Sequence, residues 1–283
     1  MHDQNGQQLP RPWGTHDLSS WQMALLRHSQ RQPFTWMGRR LALMMRRLVL
    51  RGRTRPIDAE VEGLRMRVHV TDNVSERKYL FMPQFCDPAE RNYVREHLSP
   101  DGVFLDIGAN AGIYTLTAAP VYVRLGATGY VLAVEANPTM QERLSFNVGI
   151  NNLQSRVRLA PIALSDRTGE VEFTLSDNNL GESGLNTAGS TKLRVPCKTL
   201  IDLLREEGVG KVDGMKIDVE GMEDVILNPF FQEADRKLYP EFIIIENSAY
   251  RWRSDLLALL TRVGYRKHGE HKMNMILTLD RVA

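Results

Sequence analysis

Short apolar runs alternate with segments of helical periodicity along most of the chain. The runs at 103–107, 130–134, 157–161, 212–217 and 242–245 are apolar at positions that face both ways. Strands have this pattern when helices cover both faces of a parallel sheet. Helical periodicity follows the first, second, fourth and fifth runs, beginning at about 113 and 138 after the first two. The alternation predicts an α/β fold with a doubly wound, Rossmann-like sheet and right-handed crossovers.

The end of the chain departs from this alternation. After a predicted helix at 253–263, two short strands are expected at 265–268 and 275–279, and the polar segment 269–272 between them suits a hairpin turn. The sequence therefore predicts a seven-stranded, mostly parallel sheet with a terminal antiparallel hairpin. Ahead of the sheet, Asp87, Pro88 and Glu90 predict the start of a helix that ends near Leu98.

The first 56 residues have a different texture. Residues 1–33 are polar and contain several glycines and prolines, so we expect them to be poorly ordered. Residues 36–50 predict an amphipathic helix, and 51–56 a linker. Apolar side chains lie on one side of this helix (Met37, Leu41, Met44, Met45, Leu48) and arginines on the other (Arg39, Arg40, Arg46, Arg47). We predict an N-terminal helical extension at 1–56 and one α/β domain at 57–283, which begins with a strand pair at 60–70.

Charge is unevenly distributed, although the net charge is only +2. Residues 1–56 hold ten arginines and two acids, or +8, so the other 26 basic and 32 acidic residues sum to −6. A basic segment on a mildly acidic domain indicates either an anionic partner for that segment or a solvated connector. The amphipathic helix likewise either lies in a membrane interface or packs on its own domain. The sequence leaves both pairs of alternatives open.

Cysteine content and hydropathy bear on location. Cys86 and Cys197 are too few and too far apart to indicate a disulfide framework or a zinc site, which fits a reducing compartment. The first thirty residues lack the apolar core of a signal peptide. No segment approaches the roughly 18 apolar residues of a membrane-spanning helix. We expect a cytoplasmic protein, with peripheral membrane contact through residues 36–50 as the alternative.

The first motif with chemical content follows the first parallel strand. Asp106 ends the strand, and a turn of small residues from Gly108 to Gly112 leads into a helix that begins near Tyr114. Glycine allows the backbone to approach a ligand closely, and free N–H groups at the start of a helix bind anionic groups. The spacing, with Asn110 between the two glycines, differs from the Gly-x-Gly-x-x-Gly of nicotinamide-dependent enzymes. We interpret the turn as a cofactor site.

Two later strand ends add candidate ligand residues. Glu135, followed by Ala136 and Asn137, ends the second strand, where an acid in a doubly wound sheet reaches the ribose hydroxyls of a nucleoside. Ala163 and Leu164 follow the third strand, where the adenine of the cofactor is expected.

The fourth strand ends in charged residues that a core strand does not need. Lys216, Asp218 and Glu220 lie at its carboxyl end, and Glu246 ends the fifth strand. Such residues are costly in a core unless they pair or act chemically. They are either catalytic or a buried ion pair without chemistry. Acids at 218, 220 and 246 are weak evidence for a divalent cation, and no zinc pattern is present, so we assign no metal.

Residues from about 81 to 279 resemble the FkbM family of S-adenosylmethionine-dependent methyltransferases. The resemblance rests on the motifs at 106–112, 135–138, 163–166 and 216–223, with a glycine- and serine-rich loop at 178–185. It implies a class I methyltransferase fold, S-adenosylmethionine as the cofactor, and O-methylation of a sugar, glycolipid or secondary metabolite. The cofactor would contact residues of these motifs: Asp106, Gly108, Asn110, Gly112, Tyr114, Glu135, Ala136, Asn137, Ala163, Leu164 and Asp218.

Methyl transfer to a hydroxyl benefits from a general base, and Asp218 is the first choice. Glu220 and Glu246 are the alternatives, and Lys216 would orient or balance these acids. Two other interpretations remain, a NAD(P)-dependent oxidoreductase and a cofactor-binding module without catalytic activity. A nucleic-acid methyltransferase is disfavoured, because the main domain is acidic and the basic segment has few interleaved aromatic residues. The acceptor is expected to be a small molecule or glycan.

Overall fold

The computed structural model describes residues 11–126, 128–185, 187–271 and 273–280. The chain forms two compact units. The first comprises the residues up to Cys86 together with Ser145–Asn152, and the second comprises Asp87–Leu144 and the residues from Leu153 onward. The first unit therefore extends well beyond residue 56, the boundary expected from the sequence.

The first unit contains two helices, a two-stranded hairpin and a third helix. Their bounds are α1 Ser20–Gln30, α2 Trp36–Leu50, β1 Ile57–Val61, β2 Leu64–Val68 and α3 Val74–Phe81. The prediction of poor order at 1–33 is wrong for residues 20–30, and residues 1–10 lie outside the described part of the chain. Ser19 and Gln22 form a capping box that fixes the start of α1 despite its polar sequence. Helix α2 has the predicted bounds, and β1 and β2 form the predicted strand pair.

A buried ion pair organises this unit. Arg67 on β2 donates from Nε to Asp58 Oδ1 at 2.7 Å and from Nη2 to Asp58 Oδ2 at 2.8 Å. The backbone N–H groups of Gly14 and His16 also donate to Asp58 Oδ2. The guanidinium of Arg67 lies 4.3 Å from the ring centroid of Phe146 and donates to the carbonyl oxygens of Arg11 and Pro12. The pair thereby fixes the segment that precedes α1 against the hairpin.

The second unit is built on the predicted seven-stranded sheet. Its strands are β3 Val103–Ile107, β4 Tyr130–Val134, β5 Val157–Ala160, β9 Val212–Ile217, β10 Phe242–Glu246, β11 Tyr265–His271 and β12 Asn274–Leu279. Their order is β11-β12-β10-β9-β3-β4-β5, and β12 runs antiparallel to the other six strands. The chain winds outward from β3 to β5 on one side and resumes at β9 on the other. The β3–β9 boundary is therefore the topological switch point, where ligands of such sheets bind.

Helices flank these strands, and their bounds in chain order are α4 Pro88–His97, α5 Ile113–Leu125, α6 Pro138–Ile150, α7 Leu200–Glu206, α8 Glu223–Glu233 and α9 Leu256–Arg262. Helix α6 contributes its first half to this unit and its second half to the first unit. The core consists of the apolar residues of the central strands with the inner faces of these helices, including Leu105, Ile217, Leu227 and Ile243. Within the described part of the chain, no helix has the length and apolar character required to cross a membrane.

The predicted turn of the terminal hairpin is wrong. Gly269 and His271 lie inside β11, and the next strand, β12, begins at Asn274. A register shift between Lys267 and Gly269 explains the error, because the glycine marks a β-bulge and not the turn.

A second, three-stranded sheet was not predicted. It consists of β6 Ala163–Leu164, β7 Gly169–Leu175 and β8 Thr191–Lys198, in the order β6-β8-β7. Ala163 and Leu164 thus belong to this sheet, whereas the sequence predicts them at the end of the third parallel strand. Phe173, Val195 and Cys197 form its small core. The segment between β7 and β8 contains the glycine- and serine-rich loop.

Candidate functional site

A cavity opens at the carboxyl ends of β3, β4 and β9, at the switch point of the sheet. It encloses about 600 Å³ of space not filled by protein atoms, open solvent included. Of the predicted cofactor residues, seven line it: Gly108, Asn110, Glu135, Ala136, Ala163, Leu164 and Asp218. Thirteen further lining residues were not predicted as cofactor contacts: Ile107, Val134, Met140, Ile162, Phe173, Leu180, Gly181, Ser183, Gly184, Leu185, Val219, Glu220 and Met222.

The turn after β3 adopts left-handed backbone conformations at successive polar and small residues. Gly108 has φ +75°, and a Cβ there would lie 2.0 Å from the carbonyl oxygen of Asp218. Any side chain at 108 would therefore disturb the packing of β3 against β9 as well as the cavity. Asn110 has φ +53°, and its Oδ1 accepts the N–H of Ala111 at 2.7 Å. Asparagine tolerates this conformation better than most residues, which explains its place between the glycines.

Glu135 presents a buried carboxylate to the cavity. Its Oε2 accepts the N–H of Asn110 at 2.7 Å, and its Oε1 accepts the N–H of Asn137 at 2.7 Å. Burial raises the pKa of Glu135 to about 7, although the two backbone N–H groups favour the ionised form. Each carboxylate oxygen has a further lone pair for a ligand hydroxyl. The carboxylate is thus suited to accept hydrogen bonds from a vicinal diol.

The opposite side of the cavity is apolar. Met140, Ile162, Leu164 and Phe173 line it, and Phe173 comes from the sheet that the sequence did not reveal. Apolar walls with a few fixed polar groups are typical of sites for planar heterocycles. The loop at 180–185 completes the lining, and Ser183 Oγ fixes its shape by donating to the carbonyl of Leu180 at 2.9 Å.

Four predicted cofactor residues do not line the cavity. Asp106 is buried and accepts a hydrogen bond from Thr115 Oγ1 at 2.6 Å, and burial raises its pKa to about 6. A Cβ at Gly112 would lie 2.3 Å from Leu144 Cδ1, so this glycine allows close packing of the helices. Tyr114 is buried, with Lys216 Nζ 5.6 Å from its ring centroid. The backbone N–H of Asn137 donates a hydrogen bond to Glu135 Oε1. These residues support the turn and strand ends from behind.

Lys216 and Asp218 form an ion pair at the end of β9. Lys216 Nζ donates to Asp218 Oδ2 at 3.1 Å, and Lys216 is buried while Asp218 is partly exposed. Burial favours the neutral amine, but the carboxylate of Asp218 outweighs it and raises the pKa of Lys216. The amine therefore stays charged and holds Asp218. Of these two residues, only Asp218 lines the cavity.

Glu220 lies at the junction of the cavity with a second, outer recess. This recess spans about 780 Å³ of space not filled by protein atoms, open solvent included, and is lined by Glu182, Thr187, Ala188, Glu220, Gly221 and Arg251. Among the described residues, Glu220 alone lines both spaces. Its backbone has φ +56°, a conformation that is costly for glutamate.

The environment of Glu220 sets its protonation. Burial raises its pKa to about 7, Arg251 opposes this by donating from Nη1 to Oε2 at 2.8 Å, and the carboxylates of Asp218 and Glu246 add to the rise. A carboxyl group with a pKa near neutrality is suited to general-base catalysis. Arg251 was not singled out from the sequence; its position shortly after the fifth strand end was the available signal.

Glu246 does not line either space. Its Oε2 accepts the hydroxyl of Ser248 at 2.6 Å. Within the described ranges, no three histidine, cysteine, aspartate or glutamate side chains approach one another closely enough to hold a metal ion.

Two curated relatives are similar to this chain. Methyltransferase sdnD of Sordaria araneosa is 26 % identical over 204 residues, which is 61 % of this chain and 76 % of the relative. The 2-O-methyltransferase NoeI of Sinorhizobium fredii (strain NBRC 101917 / NGR234) is 26 % identical over 145 residues, which is 45 % of this chain and 57 % of NoeI.

Solved structures with a similar fold include a human methyltransferase 10 domain containing protein. It has a TM-score of 0.46 and 14 % identity, covering 87 % of this chain and 98 % of that one. An O-methyltransferase from Bacillus cereus in complex with SAH has a TM-score of 0.43 and 15 % identity, covering 69 % of this chain and 82 % of that one.

The family model described as the methyltransferase FkbM domain matches residues 106–267, more than half of the 283 residues. This range begins at the end of β3. It includes every residue that lines the cavity or the outer recess, from Ile107 to Arg251. The chain belongs to the FkbM methyltransferase family.

Proposed function

We propose that this protein is an S-adenosylmethionine-dependent O-methyltransferase that acts on a hydroxyl of a sugar, glycolipid or secondary metabolite. The observation that carries the proposal is the position of Glu220, which joins the cavity at the switch point of the sheet to a polar outer recess. Membership of a methyltransferase family disfavours a NAD(P)-dependent oxidoreductase. The similarity to NoeI, a 2-O-methyltransferase, supports oxygen as the acceptor atom.

The residues of the cavity fit S-adenosylmethionine. Glu135 would accept hydrogen bonds from the ribose hydroxyls, and the apolar wall with Ile162, Leu164 and Phe173 would hold the adenine. Gly108, with no Cβ, leaves the backbone of the β3–α5 turn accessible. When bound, the cofactor supplies an electrophilic methyl group on a sulfonium sulfur.

Glu220 is the proposed general base. Its carboxylate would take the proton from the acceptor hydroxyl as that oxygen bonds to the methyl carbon, while the bond between that carbon and sulfur breaks; a neutral methyl ether and S-adenosylhomocysteine would then leave. Arg251 positions the carboxylate through its hydrogen bond to Oε2. Asp218, the first choice from the sequence, is the alternative base; it lines the cavity but not the outer recess, and its carboxylate is held by the ion pair with Lys216.

The outer recess is the proposed acceptor site. Its side chains Glu182, Thr187 and Arg251 supply both hydrogen-bond donors and acceptors. Such a lining suits a polyhydroxylated molecule, because each sugar hydroxyl can both donate and accept.

Binding and transfer experiments test the proposal separately. Calorimetry with S-adenosylmethionine, S-adenosylhomocysteine and NADH is expected to show binding of the first two only. Transfer of a labelled methyl group is then measured on a panel of glycosides, glycolipids and phenolic metabolites. Preference for NADH would support the oxidoreductase alternative. Tight cofactor binding without transfer to any acceptor would support the module without catalytic activity.

Replacing Glu135 by alanine is expected to weaken binding of S-adenosylhomocysteine by about 1.5–3 kcal/mol, the usual loss for hydrogen bonds to a charged group. The loss should lie toward the upper end, since the N–H groups of Asn110 and Asn137 also lose their acceptor. Calorimetry measures the change, and Glu142→Ala, at an exposed position on α6, is the control. Equal affinity in both variants would remove Glu135 from the site.

The turnover number at saturating cofactor is expected to rise with pH through about 7 and to level off above it. The base must be ionised, and burial raises the pKa of Glu220 to about 7, so each pH unit below that value should cost roughly tenfold. Saturation with cofactor separates this effect from Glu135, whose protonation would alter cofactor affinity. A turnover number that stays constant between about pH 5 and 8 would contradict a carboxyl base at Glu220.

A further inference from the structure

Helix α2 has an apolar stripe that is exposed within the described part of the chain. Met37, Leu41, Met44 and Leu48, at i, i+4, i+7 and i+11, are between 40 % and 66 % exposed. The residues that α2 buries lie one position further along, namely Gly38, Ala42, Met45 and Val49. Of the apolar residues that the sequence placed on one side, only Met45 is therefore buried. The sequence left open whether this side of α2 packs within the chain. In the structure it does not, because the other four apolar residues are exposed.

Aromatic side chains add to this surface at the start of the helix. Trp36 is 68 % exposed, with the guanidinium of Arg40 4.2 Å from its ring centroid, and Phe34 is 61 % exposed. Tryptophan is enriched where proteins meet the boundary between lipid and water, because its ring is amphipathic.

Arginines border the stripe on its outward side. Arg40, Arg47 and Arg51 are exposed, and they recur at the spacing of one helical face. Arg46, Arg47 and Arg51 also line a shallow, open recess together with Leu50 and Arg77. Among the residues that the structure describes, none of the arginines on α2 pairs with a carboxylate. Burial lowers the pKa of Arg46, and Arg77 and Arg47 lower it further, so an anion in the recess would relieve repulsion among these cations.

The two features together identify the kind of surface that fits. A soluble anion would use the arginines but not the apolar stripe, and an apolar protein partner would use the stripe but not the exposed arginines beside it. A bilayer with anionic headgroups uses both, with apolar side chains in the acyl boundary and arginines at the phosphates.

We propose that α2 docks the first unit on the surface of an anionic lipid bilayer, with a headgroup phosphate in the recess formed by Arg46, Arg47, Arg51 and Arg77. The helix lies in the plane of the interface and does not cross it. The proposal is independent of the methyltransferase activity, because none of these residues lines the cavity or the outer recess.

Co-sedimentation of the full chain with vesicles tests the proposal. Vesicles of phosphatidylcholine alone are compared with vesicles that also contain phosphatidylglycerol, and binding is expected only to the second. Binding should weaken as salt is raised, because salt screens exposed charges. Sedimentation without vesicles is the control for self-association through the same stripe.

Two double variants separate the contributions of charge and apolar area. Arg47→Gln with Arg51→Gln is expected to weaken partitioning roughly 25-fold, since each basic residue near an anionic surface contributes about fivefold. Met44→Gln with Leu48→Gln is expected to weaken it roughly tenfold. The matched controls are Arg124→Gln with Arg262→Gln and Val123→Gln with Leu125→Gln, at exposed positions of the second unit, and both should bind as the unaltered chain does.

Each other outcome contradicts the proposal. Absence of sedimentation at low salt would end it, and equal binding to neutral vesicles would remove the role of the arginines. If only the arginine variant lost vesicle binding, and inorganic phosphate competed with the vesicles, the recess would be a site for soluble anions. Concentration-dependent self-association that Met44→Gln with Leu48→Gln abolishes would indicate a second copy of the chain. Calorimetry with S-adenosylhomocysteine on the same variants keeps this test apart from the proposed function, since cofactor affinity should not change.

Discussion

Glu220→Gln is expected to reduce methyl transfer at least about 100-fold while the affinity for S-adenosylhomocysteine changes little. The amide keeps the shape of the side chain but cannot take a proton from the acceptor hydroxyl. The loss should appear in the turnover number at saturating cofactor, measured with whichever acceptor the labelled-methyl panel identifies. The pH dependence expected for the unaltered enzyme should disappear in this variant.

Asp218→Asn is the decisive comparison, since Asp218 is the alternative base. If Asp218→Asn lowered the turnover number about 100-fold and Glu220→Gln left it near the unaltered value, the base would be Asp218. Glu233→Gln, at an exposed position at the end of α8, controls for loss of a carboxylate elsewhere. A parallel fall in cofactor affinity and turnover for Glu220→Gln would indicate a binding role.

Asp58→Ala is expected to lower the free energy of unfolding of the first unit by about 3–5 kcal/mol. The change leaves the guanidinium of Arg67 buried without its counter-ion, and the N–H groups of Gly14 and His16 without an acceptor. Burial disfavours the Asp58 carboxylate, but hydrogen bonds from Arg67 and from the His16 and Gly14 N–H groups outweigh it and lower its pKa. The contribution is therefore complete at neutral pH and is lost only in acid, as pH falls through this lowered pKa.

Urea denaturation followed by far-ultraviolet circular dichroism measures the effect. Glu60→Ala is the matched control, because Glu60 lies on the same strand but is exposed, and its loss should change the free energy of unfolding by less than about 0.5 kcal/mol. Similar midpoints for the two variants would show that the buried ion pair contributes little to the free energy of unfolding.

The sequence predicted the central sheet well because buried parallel strands are apolar on both faces. The strands that begin at Val103, Tyr130 and Val212 have the predicted bounds. The three-stranded sheet escaped prediction because β6 has only two residues, and β7 and β8 are largely exposed strands that alternate without a long apolar run. Helix α1 escaped for a similar reason, since a polar helix depends on its capping box and on partners distant in sequence.

The site was predictable where it consists of strand ends and unpredictable where it consists of loops. Glu135 and Asp218 follow parallel strands, and such ends meet at one edge of the sheet. The pairing of Glu220 with Arg251 joins residues 31 positions apart, through a loop conformation that no local pattern specifies. Phe173 and Leu180 reach the cavity from the second sheet and its loop, so their contribution depended on an element not foreseen.

The separation of the two sheets bears on how such enzymes diverge. The strand ends that carry Glu135 and Glu220 rest on the large core, whereas the segment between β7 and β8 rests on a small core of its own around Phe173 and Cys197. Mutations in that segment can reshape the wall of the outer recess with little cost to the stability of the main sheet. Under the proposed function, changes at the positions of this segment that line the outer recess, Glu182, Thr187 and Ala188, would alter the acceptor while Glu135 and Glu220 stay in place.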